Sequence, residues 1–272
     1  MIPLGPGPIP LTSAELRDRL ADGLRRTLAP QSAAGFPVDA DLVSAQAVAF
    51  FRVDITGVDI SRAHDVTPRG ITQTDAATLE SLTVTGLPAM VRGLPVTLTA
   101  DAANVPFTWV RVGDDLWVNP EDGGDQTLPA SAHIVASVEA GQLEQFLRAE
   151  IEQRVTERGF KLKGFTMDVV AEGPRGVSVR AEATVGKSIL SAKVTVTGRA
   201  VIDESMTLVL SDIELSSGNP VVSAVIGQVS SRLAPWNDRR IDLASYTFAG
   251  ARLQHVAVSV DSSVRVAASF GS

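Results

Sequence analysis

Apolar and polar residues alternate with a period of two through four runs in the stretch 164–215. These runs are residues 165–171, 177–185, 190–196 and 206–210. A period of two is typical of strands with one buried face, and short links such as Gly173-Pro174 join antiparallel neighbours. The pattern therefore predicts four successive antiparallel strands.

Three other segments repeat their apolar residues at spacings of three and four, which is typical of amphipathic helices. They are residues 13–28, 141–158 and 220–234. Thr12 or Ser13 can cap the first helix, and Asn219-Pro220 supplies a cap and a first-turn proline for the third. We expect each helix to present one apolar face.

The rest of the chain is predicted to add short strands and loops. Strands are expected in residues 42–60, 79–85, 94–100, 107–118, 132–138 and 256–266. Gly86-Leu87-Pro88 is interpreted as a link between two of them, and residues 61–77 as a polar loop. Residues 1–11 are rich in proline and glycine and are predicted to form a flexible arm, which leaves residues 12–272 as a single domain.

These elements suggest a fold class. About ten short antiparallel strands with few helices must curl or close, because an open sheet of that size leaves exposed edges. Helices with one apolar face would fill the curl. The sequence therefore predicts an α+β fold in which a highly curved antiparallel sheet is rolled around one or two long helices.

The amino-acid composition limits the kinds of core and of reactive site that the chain can form. Hydrophobic residues make up 44% of the chain and aromatic residues only 5%, so the core should have mainly aliphatic walls. The chain has no cysteine, which excludes a disulfide framework, a thiolate nucleophile and a zinc–cysteine site. No run approaches the roughly 18 apolar residues that a membrane-spanning helix needs.

Charge and the N-terminus bear on partners and location. The net charge is −7 and no basic stripe is present, so we expect no nucleic-acid partner. The first ten residues lack the positive and apolar regions of a signal peptide. We expect the protein in the cytoplasm or peripheral to the inner face of the membrane, unless an export leader has been removed.

No residue pattern indicates catalysis. The three histidines, His64, His133 and His255, are far apart in sequence, and no Gly-x-Ser-x-Gly motif is present. Gly186-Lys187-Ser188 matches the end of a phosphate-binding loop, but alanine stands at position 181, where that motif requires glycine. We therefore expect no enzymatic activity, no cofactor and no metal site.

The order of elements carries a resemblance. The chain is similar to the LmeA-like phospholipid-binding family in four features. These are a first helix, alternating aliphatic strands, the sequence Ser217-Gly218-Asn219-Pro220-Val221-Val222 at the start of a helix, and a closing hairpin in 253–268. That family belongs to the tubular lipid-binding, BPI-like superfamily. The resemblance covers residues 12–270 and implies a curved sheet around a long helix, a hydrophobic channel for acyl chains, and non-enzymatic binding or transfer of phospholipid. It identifies no individual residue.

The aliphatic rows themselves indicate the same ligand class, since smooth apolar walls bind oily groups by area burial. Together they predict a phospholipid or another acyl-chain lipid in an elongated cavity. The candidate lipid-contacting residues are Leu143, Phe146, Leu147, Ile151, Phe165, Met167, Val177, Val179, Val194, Val225 and Val229.

Four basic residues follow the second helix or end the third, and could hold an anionic head group if those helix ends meet. They are Arg158, Lys161, Lys163 and Arg232. Two alternatives stay open: a structural or interaction module with a solid core that docks a protein partner, and an enzyme that uses His133 or a buried acid. Peripheral membrane contact is expected under the lipid hypothesis, and no particular protein partner is indicated.

Overall fold

The computed structural model describes residues 1–28, 37–62, 68–120, 129–157, 159–187, 190–218 and 234–271. The chain divides into two compact units. The first comprises Met1–Ser137, Ser245–His255 and Ala267–Ser272, and the second comprises Val138–Ala244 and Val256–Val266. Each unit is described separately below.

The larger sheet has ten strands. They are β1 (Ile2–Pro6), β2 (Val38–Ser44), β3 (Ala47–Asp54), β4 (Gln73–Val91), β5 (Leu94–Val112), β6 (Asp115–Asn119), β7 (Ser131–Glu139), β13 (Thr247–Phe248), β14 (Ala251–Val260) and β15 (Ser263–Gly271). The main order is β13-β14-β15-β7-β5-β4-β3-β2, with β6 on β5 and β1 on β6. Strands β3 and β4 pair in parallel, which is a departure from the wholly antiparallel sheet that was expected.

The second unit holds a five-stranded antiparallel sheet, in which each strand pairs with its neighbour in sequence. The strands are β8 (Lys161–Ala171), β9 (Gly176–Lys187), β10 (Leu190–Ile202), β11 (Thr207–Ser217) and β12 (Arg239–Asp242). Strands β8 to β11 coincide with the four runs of alternation in 165–210, and this part of the secondary-structure prediction is confirmed.

Strands β4 and β5 are much longer than the sequence suggested. Each has 19 residues, and they pair from Gln73 opposite Arg111 to Val91 opposite Leu94. The segment interpreted as a link, Gly86-Leu87-Pro88, is an irregularity within β4, where the register shifts between Gly86 and Ala89. The hydroxyl of Thr56 accepts a hydrogen bond from the N–H of Leu87 at this irregularity. Pairing with β5 resumes at Ala89, which lies opposite Val96.

The expected flexible arm is also corrected. Residues 2–6 form β1, which pairs with β6, and the side chain of Leu4 is buried in the core of the first unit. The guanidinium group of Arg19 donates to the backbone oxygens of Leu4, Gly5 and Pro8. Proline lacks a backbone N–H, so this segment can donate few hydrogen bonds of its own. The side chain of Arg19 in the first helix instead donates hydrogen bonds to its backbone oxygens.

The leucine periodicity correctly predicted helix α1 (Ser13–Leu28), which lies in the first unit. Thr12 is its cap, because the Thr12 hydroxyl accepts from the N–H of Glu15, and the Glu15 carboxylate accepts from the N–H of Leu11. The Ser13 hydroxyl instead accepts from the N–H of Leu42 in β2. This bond fixes the start of the helix against the sheet.

Helix α2 (Ala140–Thr156) lies in the second unit and contacts β8. None of its residues is buried. The predicted third helix in 220–234 falls almost wholly on residues 219–233, which lie outside the described part of the chain.

The predicted fold class is wrong. The chain is mostly β-sheet, arranged as two sheets, and its described helices have only 16 and 17 residues. Within the described residues there is no long helix around which a sheet could roll. The physical reason is that a period of 3.6 shows that a helix has an apolar face, but not whether a sheet covers that face or surrounds it. Neither described helix is long and apolar enough to cross a membrane.

Candidate functional site

The first unit contains an apolar cavity of about 350 Å³ between α1 and the ten-stranded sheet. Four leucines of α1 form one wall, and residues of β3, β4 and β5 form the opposite wall. The leucines are Leu16, Leu20, Leu24 and Leu28, and the main sheet residues are Val48, Phe51, Val53, Ile55, Leu79, Leu82, Val84, Val105, Phe107 and Trp109. A stripe with a helical period thus faces strands whose apolar residues share one face.

The wall formed by α1 becomes more exposed toward the C-terminus of the helix. Leu16 is 1% exposed, Leu20 6% and Leu24 8%, whereas Leu28 is only half-buried. The same change occurs along β4, where Leu79 is buried and Val84 is half-buried. It does not occur along β3, where Val48 and Val53 are both buried.

Trp109 of β5 lies beside Val118 of β6 in the cavity wall. Its side chain is 2% exposed, and its indole N–H donates to the carbonyl oxygen of Ala45 at 2.7 Å. Its ring meets Phe107 edge to face, with centroids 4.9 Å apart and planes at 83°. This arrangement is favourable for aromatic pairs and holds the indole in one orientation.

The side of the cavity is completed by two paired strands and by two further residues. Ile2 of β1 lies opposite Val118 of β6, and both side chains line the cavity. Ile60 and Phe248 also line it, and both are half-buried. Phe248 contacts the ring of Phe270 at a centroid distance of 6.2 Å.

The lining determines what chemistry is possible in the cavity. Every lining side chain in the described part of the chain is apolar, and the one polar group among them, the indole N–H of Trp109, already donates to Ala45. The described lining residues therefore offer no side-chain acid, base, nucleophile or metal ligand to a bound molecule. The cavity can hold a ligand by burial of apolar area.

The second unit has a concavity of about 540 Å³, lined by charged residues and by valines that include Val179. Arg180 and Arg199 lie in it, and each forms an ion pair, with Glu182 and with Glu172 respectively. Lys193 also pairs with Glu182, and these partners lower the pKa of the Glu182 carboxyl. Both arginines of this concavity are therefore paired with carboxylates on an exposed surface, where such pairs contribute little.

The other ionisable groups in the described ranges give no indication of a reactive site. Hydrogen bonds from Ser205 and Thr207 lower the pKa of Asp203, and bonds from Ser263 lower that of Asp261. Both carboxyls lie in turns. Among the described residues, no group of three or more histidines or carboxylates is placed to hold a metal ion.

The predicted lipid-contacting residues do not line the apolar cavity. Those of α2 and of the second sheet belong to the second unit, and Val225 and Val229 lie outside the described residues. Strand register brings five of them to one sheet face, on which Phe165 is buried and the other four are half-buried. These five are Phe165, Met167, Val177, Val179 and Val194. The four of α2, namely Leu143, Phe146, Leu147 and Ile151, are half-buried.

Of the predicted head-group residues, Lys161 and Lys163 lie exposed at the start of β8. Arg158 and Arg232 lie outside the described residues, so the proposed meeting of helix ends cannot be assembled from them. The described part of the chain places neither lysine at the apolar cavity.

Sequence reasoning identified the stripe on α1 but not the cavity that it lines. One signal was present in the sequence: the heaviest apolar residues of the sheet, such as Phe51, Phe107 and Trp109, occur in the first half of the chain. Large side chains at the core face leave irregular gaps when small residues such as Ala77 and Ala102 lie between them. Which strands face α1 could not be read from these residues.

Comparisons of the chain with protein-family models, with curated proteins and with solved structures found no match.

Proposed function

We propose that the protein binds an acyl-chain lipid in the cavity under α1 and performs no chemistry on it. The observation that carries this proposal is the cavity of about 350 Å³, whose described lining side chains are all apolar. Ligand pockets in proteins span about 300–1,000 Å³, so this cavity has the size of a small ligand site. Its lining suits a hydrocarbon chain and does not suit a polar metabolite.

The energetics of such binding are simple. Each buried methylene contributes about 0.8 kcal/mol, which corresponds to roughly a fourfold gain in affinity. Loss of translational and rotational freedom opposes binding by about 4 kcal/mol or more. A chain of several methylenes is therefore needed for measurable affinity, and affinity should rise steadily with chain length until the cavity is full.

The competing interpretation is that the cavity is only a packing gap with no ligand. It corresponds to the alternative of a structural or interaction module that docks a protein partner. Protein interiors contain few voids larger than a water molecule, because unfilled apolar space forfeits packing energy. The cavity under α1 has about 350 Å³ and is partly open to solvent, so its apolar walls are available to a ligand.

The sequence resemblance to LmeA-like phospholipid-binding proteins points to the same ligand class, although the tubular architecture of that family is not proposed for this chain. A lipid ligand would come from a membrane, so we also propose peripheral contact with one. The cytoplasmic location, or one at the inner face of the membrane, expected from the sequence stays part of this proposal.

The direct test is native mass spectrometry of the purified protein, followed by uptake of fatty acids from vesicles. We expect a mass adduct that matches one lipid, with affinity rising by roughly fourfold per methylene. A ligand-free mass with no uptake at any chain length would overturn the proposal and favour the solid-core alternative.

Cavity-filling variants provide the matched test. Leu20→Phe and Val105→Leu each add volume at a lining position, one on α1 and one on β5. Both should reduce uptake at least about tenfold while leaving thermal stability unchanged or higher, because filled space restores packing. Val194→Leu, on the sheet of the second unit, is the control and should bind like the unmodified protein. Equal uptake by all three variants would contradict the location of the site.

A further inference from the structure

We infer that the end of the β4–β5 hairpin, residues 87–96, is the surface through which the protein contacts a lipid bilayer. We call these residues the hairpin tip. The inference rests on the proposed function, which requires contact with a membrane but does not say which part of the molecule makes it.

The hairpin tip is unusually apolar for the end of a hairpin. Residues 81–100 contain a single charged residue, Arg92, whereas charged residues make up 20% of the whole chain. Arg92 and Gly93 form the turn, and both have positive φ, as a two-residue turn of type I′ requires. Turns and their surroundings usually carry polar residues, but here both strands are apolar up to the turn. The apolar residues are Leu87, Pro88, Ala89, Met90, Val91, Leu94, Pro95 and Val96.

Much of this apolar surface is accessible to solvent. Leu87 is 58% exposed, and Pro88 is exposed beside it. Met90, Val91 and residues 94–96 are only half-buried. One exposed leucine is common on a protein surface, but apolar residues that are contiguous and accessible indicate contact with a membrane or a protein.

The backbone of the tip is prepared for an apolar environment, because residues 56–61 already satisfy several of its polar groups. Three N–H groups of the tip donate to this segment, and one carbonyl oxygen accepts from it. Leu87 donates to the Thr56 hydroxyl, Met90 to the oxygen of Val58 and Arg92 to the Ser61 hydroxyl, and Pro88 accepts from the N–H of Gly57. Paired groups do not lose hydrogen bonds when water leaves, so they do not oppose contact with lipid.

The segment that holds the tip also forms part of the cavity wall, and this continuity favours a membrane over a protein partner. Ile55 and Ile60 line the cavity, as does Val84 just before the tip in β4. The N–H of Ile55 donates to the carbonyl oxygen of Thr85 at 2.7 Å. A bilayer at the tip therefore lies next to the wall of the cavity that would receive its lipid. Arg92 adds one cation for the phosphate groups of the lipid surface.

A fluorescent label tests where the membrane lies. The chain has no cysteine, so Leu87→Cys and Leu11→Cys each carry an environment-sensitive dye at one position. Leu11 is 82% exposed and lies outside the tip, which makes it the matched control. With vesicles of phosphatidylcholine mixed with phosphatidylglycerol, we expect the emission to shift to the blue at position 87 and to stay unchanged at position 11. Equal shifts, or a shift at position 11 alone, would overturn the location, and no shift at either position would overturn membrane contact.

Substitutions test the energetic role of the tip. Leu87→Asp should reduce sedimentation with these vesicles at least about tenfold, because a charge replaces an apolar contact. Leu11→Asp should have no effect, and an equal loss in both variants would contradict the inference. Thermal unfolding should be unchanged for both, since both side chains are exposed. Arg92→Asn suits the positive φ and should weaken binding about fivefold to the mixed vesicles and not to pure phosphatidylcholine.

Uptake of a dissolved fatty acid, measured without vesicles, separates this inference from the proposed function. Leu87 lies outside the described lining of the cavity, so Leu87→Asp should take up the fatty acid as the unmodified protein does. Vesicle binding through the tip without any uptake would remove the proposed function and leave the tip as a membrane-contact surface. Normal uptake together with unchanged vesicle binding by Leu87→Asp would remove this inference and leave the proposed function.

Discussion

Gly23 of α1 lies directly against Pro3 of β1. A Cβ atom placed on Gly23 would lie 2.1 Å from the carbonyl oxygen of Pro3 and 3.0 Å from Cγ2 of Ile2. No side chain fits in that space, so the helix and the first strand cross at a distance that only glycine permits. The crossing positions Ile2 in the cavity wall.

Replacing Gly23 with alanine should therefore destabilise the protein, although alanine favours helices by about 1 kcal/mol over glycine. The clash is with backbone, which cannot rotate away, so we expect a net loss of about 1–3 kcal/mol in the free energy of unfolding by urea. Gly141→Ala in α2 is the matched control, since nothing lies within 4 Å of its added methyl group. The control should be neutral or stabilising, and equal stability of both variants would refute the close crossing.

Arg19 should be required to hold β1. Its side chain is 14% exposed, and its nitrogens donate to the oxygens of Leu4 at 2.9 Å, Pro8 at 2.6 Å and Gly5 at 3.0 Å. Arg19→Met keeps the apolar stem and removes these bonds, so we expect about 2–4 kcal/mol of destabilisation. Hydrogen exchange of the amides in residues 1–10 should also become much faster.

The control for this prediction is Arg17→Met. Arg17 pairs with Asp39 at 3.4 Å on the surface, with both side chains about half exposed. An exposed pair contributes about 1 kcal/mol or less, so this variant should unfold nearly as the unmodified protein does and keep slow exchange in residues 1–10. If both variants behave alike, Arg19 has no special role.

Trp109→Phe should weaken the cavity wall. The substitution removes the donor to the part-buried carbonyl oxygen of Ala45, which costs about 1–3 kcal/mol. Urea unfolding measures the loss. Trp236→Phe changes an exposed ring that stacks under the guanidinium of Arg239, and its effect should stay within about 1 kcal/mol. A loss at Trp109 no larger than at Trp236 would show that the Ala45 bond is unimportant.

Asp203 should make stability depend on pH in the acid range. The Ser205 hydroxyl donates to its carboxylate at 2.6 Å and the Thr207 N–H donates at 2.9 Å, and these bonds lower its pKa below the ordinary 3.8. A pKa that is lower in the folded state adds stability that is fully present above about pH 4 and is lost as pH falls through the folded value. Asp203→Asn should thus be less stable than the unmodified protein at pH 7 and equal to it well below pH 3.8.

Thermal unfolding of both proteins between pH 2 and 7 checks this prediction. Ser205→Ala removes the strongest donor to the carboxylate and should reduce the pH-dependent difference. A difference between Asp203→Asn and the unmodified protein that stays constant across the pH range would show that ionisation of Asp203 is not the cause.

Local patterns in the sequence predicted many elements correctly. The four strands between Lys161 and Ser217 follow from alternation, and α1 and α2 follow from helical periodicity. Pairing changed the remaining predictions. Residues 73–77 are mostly exposed and were interpreted as loop, yet they are strand because they pair with residues 107–111 of β5, a strand already fixed by β6. The parallel pairing of β3 with β4 could not be predicted either. Parallel strands are joined by a long connection, and the sequence of that connection has no period that reveals the pairing.

The location of the candidate site shows the same limit. The valines of β9 and β10 gave the strongest alternation and were taken as lipid contacts, but in the second unit Val177, Val179 and Val194 are half-buried on a sheet face. The cavity lies instead beneath Leu16, Leu20 and Leu24, beside strands in which the alternation is less regular. A regular pattern indicates a strand with one apolar side, and it contains no information about whether that side meets a complementary surface.

The sequence by itself determined which residues are apolar, with what period they recur, and that no reactive group accompanies them in a recognisable motif. Tertiary structure alone decided that the leucines of α1 face Val48, Phe51 and Trp109 across a gap, and that β1 closes its side where it crosses Gly23. The reason is physical: periodicity assigns a side chain to one side of its own element. A cavity is the volume left over when side chains from elements distant in sequence are brought together, and that volume depends on how all of them pack.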